Sequence, residues 1–244
     1  MDIPSSHRVS RVRVRAIVLQ NFALTPRMRR LVLGGPDLAA WLASDGVHAP
    51  AAWVKLFPPG REGRAYTISS VDDQANTLSL DCVLHGDGHD HGTVSDWVRR
   101  AQRGEQVELS GPRNGGFYLL PDARWLWLGA DASALPAAQS ILGSLPSGIE
   151  VHAMLLVHDD AERQPLDSTA QLNVVWHRSL AVADFAGRPP LPMRQRCGPG
   201  QVWLAGEAFW VKSWKNYWLE QEGLERHRLS AKGYWQIGER DHRG

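Results

Sequence analysis

Arg64-Ala65-Tyr66-Thr67-Ile68-Ser69 sets a cation, an aromatic ring and a hydroxyl on one short run of strand-forming residues. Period-two alternation puts Arg64 and Tyr66 on one face, so a flat ring can stack on Tyr66 while Arg64 meets a phosphate. Thr67 and nearby backbone groups would then bond the polar edge of that ring. Farther along, Gly92-Thr93-Val94-Ser95 reads as a glycine turn opening a helix that continues through Asp96-Trp97-Val98. A helix start offers N–H groups and the positive end of a dipole, and a Thr93 or Ser95 cap is compatible with both. The two segments describe a ring shelf beside a diphosphate cradle. The same residues also suit a plain edge strand and a capped helix.

Around this pair the first half reads as short strands separated by turn residues: Val9–Leu19, Met28–Gly34, Ala51–Leu56, Arg64–Ser70, Thr77–Val83 and Gln106–Ser110. Their even spacing predicts an antiparallel barrel or sandwich, interrupted by helical pieces at Asp37–Ala43 and Val94–Ala101. After Pro121-Asp122 the rhythm changes to apolar strands alternating with helices: Trp125–Gly129, Ala134–Leu142, Val151–Val157, Asn173–Trp176, Val202–Ala205 and Phe209–Glu222. That alternation predicts a parallel sheet covered on both faces. The expected fold is therefore α+β in two domains, 1–120 and 121–244. The first is an antiparallel β-barrel, the second an α/β parallel-sheet domain.

Composition narrows the function. The 244-residue chain is 43% hydrophobic and 22% charged with a net charge of +1, which makes no electrostatic case for nucleic acid. Arg11, Arg13 and Arg15 alternate with Val12, Val14 and Ala16, the pattern of a half-exposed strand. No apolar run approaches the roughly 20 residues that span a bilayer. Met1 to His7 lacks a secretory layout, and the two cysteines, Cys82 and Cys197, form no zinc-like spacing. A cytoplasmic protein with reduced thiols is expected. Eleven tryptophans is a heavy load, and Trp210, Trp214 and Trp218 at i, i+4, i+8 predict one packed helix stripe.

Other segments bear on chemistry. His85-Gly86-Asp87-Gly88-His89-Asp90-His91 holds three histidines and two aspartates, yet its glycines suit a loop leading into the Gly92 turn better than a metal cage. No metal site is expected. Gly111-Pro112-Arg113 closes the last barrel strand with a cation. Leu128-Gly129-Ala130-Asp131-Ala132-Ser133 lies at a strand-to-helix junction, where open parallel sheets bind ligands, and Leu204-Ala205-Gly206-Glu207 repeats that layout. No GxGxxG or Walker sequence is present. Lys232-Gly233-Tyr234-Trp235 sets two aromatics beside a cation, as tail packing or as a ligand contact. Ring shelf, cradle and junction together are what a flavin nucleotide needs.

In this order the segments resemble the siderophore-interacting protein family of FAD-dependent ferric-siderophore reductases. The matching pieces are Arg64 to Ile68, Asp81 to Gly86, Gly92 to Trp97, Gly104 to Val107, Gly111 to Arg113, Asp131 to Pro136, Ala205 to Glu207 and Gly233 to Trp235. The resemblance implies a six-stranded FAD-binding barrel joined to a ferredoxin-reductase-like NAD(P)H domain. It implies non-covalent FAD, a reductant that is NAD(P)H or ferredoxin, and an anionic ferric siderophore as substrate; a monomer is expected. Family FAD contacts carry over onto Arg64, Tyr66, Thr67, His85, Gly92, Thr93 and Ser95. Ile68, Asp81, Val94, Asp131, Ser133, Tyr234 and Trp235 join the cofactor-binding set. The basic residues that attract the chelate map to Lys55, Arg113, Lys232 and Arg240, and no catalytic side chain is assigned. The chain departs from the family pattern at Ser69, where an arginine often stands, at Ala132-Ser133, and at Thr93-Val94, where Pro-Ala is usual.

Overall fold

Alternation decides the first strand: Arg13 and Arg15 are exposed while Val14 and Ala16 are buried. The computed structural model describes residues 13–84, 93–178 and 197–239. Six strands close an antiparallel barrel in the order β1-β2-β5-β4-β3-β6. They are β1 (Arg13–Thr25), β2 (Met28–Gly34), β3 (Trp53–Phe57), β4 (Arg64–Asp72), β5 (Thr77–Val83) and β6 (Gln106–Arg113). Inward positions fill the interior with Val18, Leu31, Leu33, Val54, Leu56, Leu78, Leu80 and Leu109, all at or near zero exposure. Closure removes free sheet edges, and alternate aliphatic side chains pack the interior.

Two short helices close the barrel. α1 (Pro36–Leu42) begins with proline in its first turn, where a missing N–H costs nothing, and buries Leu38 and Leu42. α2 (Val94–Arg100) buries Val94, Trp97 and Val98 in the barrel core. The Thr93 side chain caps it by accepting from the Asp96 N–H. At its other end Asn21 Nδ2 donates to the carbonyls of Val98 and Ala101, which fixes the helix to β1.

After β6 the chain builds a parallel sheet in the order β11-β10-β7-β8-β9. Its strands are β7 (Trp125–Asp131), β8 (Glu150–Val157), β9 (Gln171–Arg178), β10 (Gly200–Glu207) and β11 (Leu229–Trp235). β7 and β10 are buried at every position, as strands covered on both faces must be. α3 (Leu135–Ser144) covers one face through Leu135, Ala138, Ile141 and Leu142. α4 (Ala208–Asn216) covers the other, and Trp210, Trp214 and Trp218 pack on Trp125 and Trp127, the stripe that their spacing predicts.

Three expectations need correction. The helix expected over Phe209–Glu222 stops at Asn216 and continues as a wider π turn, Tyr217–Gln221. β1 runs on to Thr25 beyond the expected Leu19. Lys232 to Trp235, for which tail packing and a ligand contact were both open, belongs to β11, an edge strand parallel to β10, so the tail reading falls. Its mixed composition gives no alternation, and all seven positions are half-buried, because one side rests on the barrel.

The barrel and sheet are joined by specific contacts. Glu162, on a 3₁₀ turn after β8, is only 6% exposed and reaches the tip of the β1–β2 hairpin. Its carboxylate accepts from Thr25 Oγ1 and, at 3.0 Å, from the Arg27 N–H. Ala51 N donates to Ser140 Oγ at 3.1 Å, and Gln164 Nε2 donates to Met28 Sδ. Glu162→Ala would strand two donors at this joint, so a loss of about 1–3 kcal/mol is expected in urea unfolding. Glu162→Gln keeps an acceptor and should recover most of it; equal losses in the two variants would contradict this reading.

Candidate functional site

The site is built where strand order reverses in the sheet. β7 continues to β8 on one side while β10 joins from the other, so a crevice opens beyond the C-terminal ends of β7 and β10. The end of β11 meets the barrel here, with Tyr234 bonded to Thr67 of β4 and Lys232 over Trp53 of β3.

On β4, Arg64 lies opposite Leu56 and Tyr66 opposite Val54, so the two share a face, as alternation requires. Burial pushes the Tyr66 phenol well above its ordinary range; the Cys82 thiol adds to the shift and Arg64 opposes it. Register then slips between Ile68 and Ser70, a bulge that lets both Thr67 and Ile68 be buried. Ser69 sits in this bulge, and its Oγ accepts from the Asp81 N–H at 3.0 Å. The Asp81 side chain is fully buried and takes a bidentate bond from Arg30 of β2, at 2.6 and 2.7 Å. Asp81 is thereby engaged by the chain's own cation. That partner, sequence-distant and unremarkable in composition, has no signal in the sequence.

At the crevice mouth, Tyr234 of β11 hydrogen-bonds Thr67, and burial raises its phenol, with Asp131 adding to the shift. Two cations converge on Trp53 of β3: the Arg113 guanidinium carbon lies 4.6 Å from the ring centroid and Lys232 Nζ 4.8 Å. Trp53 Nε1 donates to the Asn114 carbonyl, which orients the ring. Burial lowers the Lys232 amine, and the Arg113 charge lowers it further. Two like charges over one indole favour an anion between or beside them. Sequence reasoning missed Trp53, although alternation along β3 places Trp53, Lys55 and Phe57 on one face.

Lys55 lines a different feature. It faces an open groove of about 830 Å³ with Arg13, Arg15, Phe57 and Arg61, where Arg13 stacks 3.8 Å over the Phe57 ring. The expected cationic face thus divides, with Arg113 and Lys232 on Trp53 and Lys55 in this groove. At the start of α2, Thr93 is the cap, and Val94 and Ser95 are buried in the first turn. Arg61 Nη1 donates to the Thr93 carbonyl at 2.9 Å, bringing to this helix start a cation that the sequence reading did not assign. His85, Gly92 and Arg240 lie outside the described residues, as do His89 and His91. Among the described residues no cluster of His, Cys, Asp and Glu forms a metal cage, and no helix is long and apolar enough to cross a membrane.

The Asp131 carboxylate is held by the chain's own donors. Its Oδ1 accepts from the Ser133 N–H and hydroxyl, at 2.9 and 2.5 Å. Its Oδ2 accepts from the Glu207 N–H at 2.7 Å and from Trp235 Nε1 at 3.0 Å. Four donors occupy the four lone-pair positions of the carboxylate. Asp131, Ser133 and Trp235 therefore lock β7, β10 and β11 together at the crevice floor. Gly206 makes this fit possible: its φ is +147°, and a Cβ there would stand 2.4 Å from Asp131 Oδ2.

Residues 58–116 match the model of the siderophore-interacting FAD-binding domain, and residues 123–238 match that of the siderophore-interacting protein. A siderophore utilization protein from T. fusca is similar in structure, with 30% identity, a TM-score of 0.78 and 95% of each chain covered. This chain belongs to the siderophore-interacting protein family. Family membership accounts for the joined barrel and sheet, a fold shared at lower identity with ferredoxin reductases. Ferric vibriobactin reductase ViuB of Vibrio cholerae is 29% identical over 265 residues, covering 97% of this chain and 94% of that protein. The mycobactin import ATP-binding/permease protein IrtA of Mycolicibacterium smegmatis is 28% identical over 232 residues. The match takes in 91% of this chain but 26% of IrtA, so the chain spans about a quarter of that relative's length.

Proposed function

We propose that this chain binds FAD between barrel and sheet and reduces Fe(III) in an anionic ferric siderophore, so that iron is released as Fe(II). The observation that carries the reading is the Arg113–Trp53–Lys232 cluster beside the Thr67–Tyr234 hydrogen bond, at the mouth of the crevice. The donor set fits a flavin. Tyr66 supplies a ring face, Thr67 and Tyr234 supply hydroxyls for a polar ring edge, and Arg64 and Arg61 with the start of α2 supply positive charge for phosphates. Under this reading residues 1–120 are the FAD-binding domain and 121–244 the nucleotide domain. Arg64, Tyr66, Thr67, Thr93, Val94 and Ser95 hold the cofactor, while Asp81 and Asp131 shape its surroundings.

When bound, the flavin supplies the exchange between two-electron donors and one-electron acceptors. The protein's part is to bind and orient. Arg113 and Lys232 attract the anionic chelate, and Trp53 fixes the position of both cations. Hard oxygen ligands hold Fe(II) more weakly than Fe(III), so reduction itself loosens the metal. No side chain is required as nucleophile or base. On this reading the donor is NAD(P)H or ferredoxin, and the protein works as a monomer in the cytoplasm.

The first test is the absorbance spectrum of the purified protein. Flavin bands are expected, and Tyr66→Ala should weaken FAD affinity by roughly 10- to 100-fold, about 1.4–2.8 kcal/mol of lost stacking. Anaerobic NADH, NADPH and reduced ferredoxin should then be compared for bleaching of the bands. Turnover of a ferric catecholate faster than a generic dye supports the substrate assignment. A protein that takes up no flavin on reconstitution sinks the proposal.

A further inference from the structure

Trp210, Trp214, Trp127 and Trp218 serve no part of the chemistry above, yet their rings form a continuous file. Ring centroids are 4.9 Å apart from Trp210 to Trp214, 5.1 Å from Trp214 to Trp127 and 5.4 Å from Trp127 to Trp218. Tyr217 follows at 6.0 Å from Trp218. All four indoles are at 2% exposure or less, whereas Tyr217 is half-buried. The file starts at the crevice floor: a Cβ on Gly206 would stand 2.6 Å from Trp210 Cζ2 and 2.4 Å from Asp131 Oδ2.

Its far end is equipped for a proton. The Tyr217 hydroxyl donates to Glu222 Oε1. The π turn makes this possible, because the Glu222 N–H bonds the Tyr217 carbonyl five residues back and carries the carboxylate round to the phenol. Such turns are rare and recur at functional sites. In the middle of the file the opposite holds. Trp127 Nε1 is buried with no hydrogen-bond partner among the described residues, so an oxidised Trp127 has no base to take its proton and the charge stays mobile.

We infer that Trp210, Trp214, Trp127, Trp218 and Tyr217 form a one-electron relay that carries an oxidising equivalent from the crevice floor to the protein surface. The physiological oxidant rests on the proposed reaction: Fe(II) freed at the crevice reduces peroxide, giving Fe(III), hydroxide and a hydroxyl radical. That radical takes one electron from Trp210 and becomes hydroxide. Electrons then move inward ring by ring from Trp214, Trp127 and Trp218. Tyr217 makes the final loss, its electron passing to Trp218 and its phenolic proton to the Glu222 carboxylate. Overall, hydroxyl radical, tyrosine and carboxylate become hydroxide, tyrosyl radical and carboxylic acid. The damage is thereby moved away from the crevice to a residue that small external thiols can reach.

The test needs no flavin and no iron, so its failure is separable from that of the proposed reaction. Phe209 is 62% exposed and adjacent to Trp210, and Cys197 is an exposed thiol while Cys82 is buried. A ruthenium(II) polypyridyl photosensitiser is attached to the full chain at Phe209→Cys in a Cys197→Ser background. After flash-quench oxidation, a tyrosyl radical is expected by electron paramagnetic resonance and by its narrow absorption band. Tyr217→Phe should remove that signal and leave an indole radical in its place. Trp127→Phe keeps a smaller aromatic ring in the core and should cut the tyrosyl yield about tenfold; Trp214→Phe offers the same break at a second point. Circular dichroism identifies any variant that fails to fold. A tyrosyl signal that survives Tyr217→Phe, or a yield unchanged by both tryptophan substitutions, overturns the relay.

Discussion

Arg30→Ala is expected to destabilise the protein by about 3 kcal/mol, because it leaves a fully buried carboxylate without its cation. The Asp81 side chain has no exposure and is held through two bonds to the Arg30 guanidinium. Arg30 is itself partly exposed, which keeps its own desolvation small, and its charged form is favoured chiefly by the hydrogen bond to Asp81. In a chain of this size the loss corresponds to roughly 6–12 °C in Tm. Replacing both partners with apolar residues, as in Arg30→Met with Asp81→Leu, should recover much of it, since no buried charge then remains. Urea unfolding of the single and double variants checks this. A single-variant loss below about 0.5 kcal/mol, the range of ordinary surface changes, would refute the assignment. The same change reaches the site, because Asp81 and Ser69 tie β5 to the β4 bulge next to Thr67 and Ile68.

Lys232→Glu is expected to raise KM for an anionic ferric chelate by roughly 30- to 150-fold, about 2–3 kcal/mol, by setting a like charge against the substrate. Turnover of a neutral dye acceptor should change little, and that contrast separates substrate binding from damage to the fold. The wild-type pH profile carries a second signature. Burial and the Arg113 charge lower the Lys232 amine, so Lys232 loses its proton at a pH below the ordinary lysine range. A bound anion favours the protonated amine and raises that value. Chelate affinity should therefore fall as pH rises through the lowered Lys232 value. Lys232→Arg should carry affinity to higher pH, because guanidinium holds its charge. The linkage to stability has the opposite sign: above the lowered value the unfolded chain binds more protons than the native one, so burying Lys232 costs less as pH rises. A Lys232→Arg profile that falls at the same pH as wild type would remove Lys232 from the site.

Local patterns were legible wherever burial follows chain periodicity. Arg13-Val14-Arg15-Ala16 reads as a half-exposed strand because each side chain faces water or the barrel in turn. Trp210, Trp214 and Trp218 read as one stripe because α4 and its π turn present them to a single surface. The shared face of Arg64 and Tyr66 follows from the same rule. Other features had no such signal. β11 has no alternation because all its positions are half-covered. Asp131 is filled by donors from the Ser133 turn, β10 and β11, partners that no local pattern shows. Lys55 and Lys232 look alike in sequence, yet one lines an outer groove and the other shares Trp53 with Arg113.

Most elements, the change from barrel to parallel sheet, and the family could be read from local sequence, because period-two and helical patterns and short ordered motifs are written within a few residues of each other. Which side chains meet is settled only in the folded chain. Glu162 reaches Thr25 across 137 positions, and Trp235 reaches Asp131 across 104. Strand register and the packing of barrel on sheet fix such pairs, and neither is a local property of the chain. The Tyr66 shelf could be read from six residues; the cations over Trp53 had to be assembled from β3, β6 and β11.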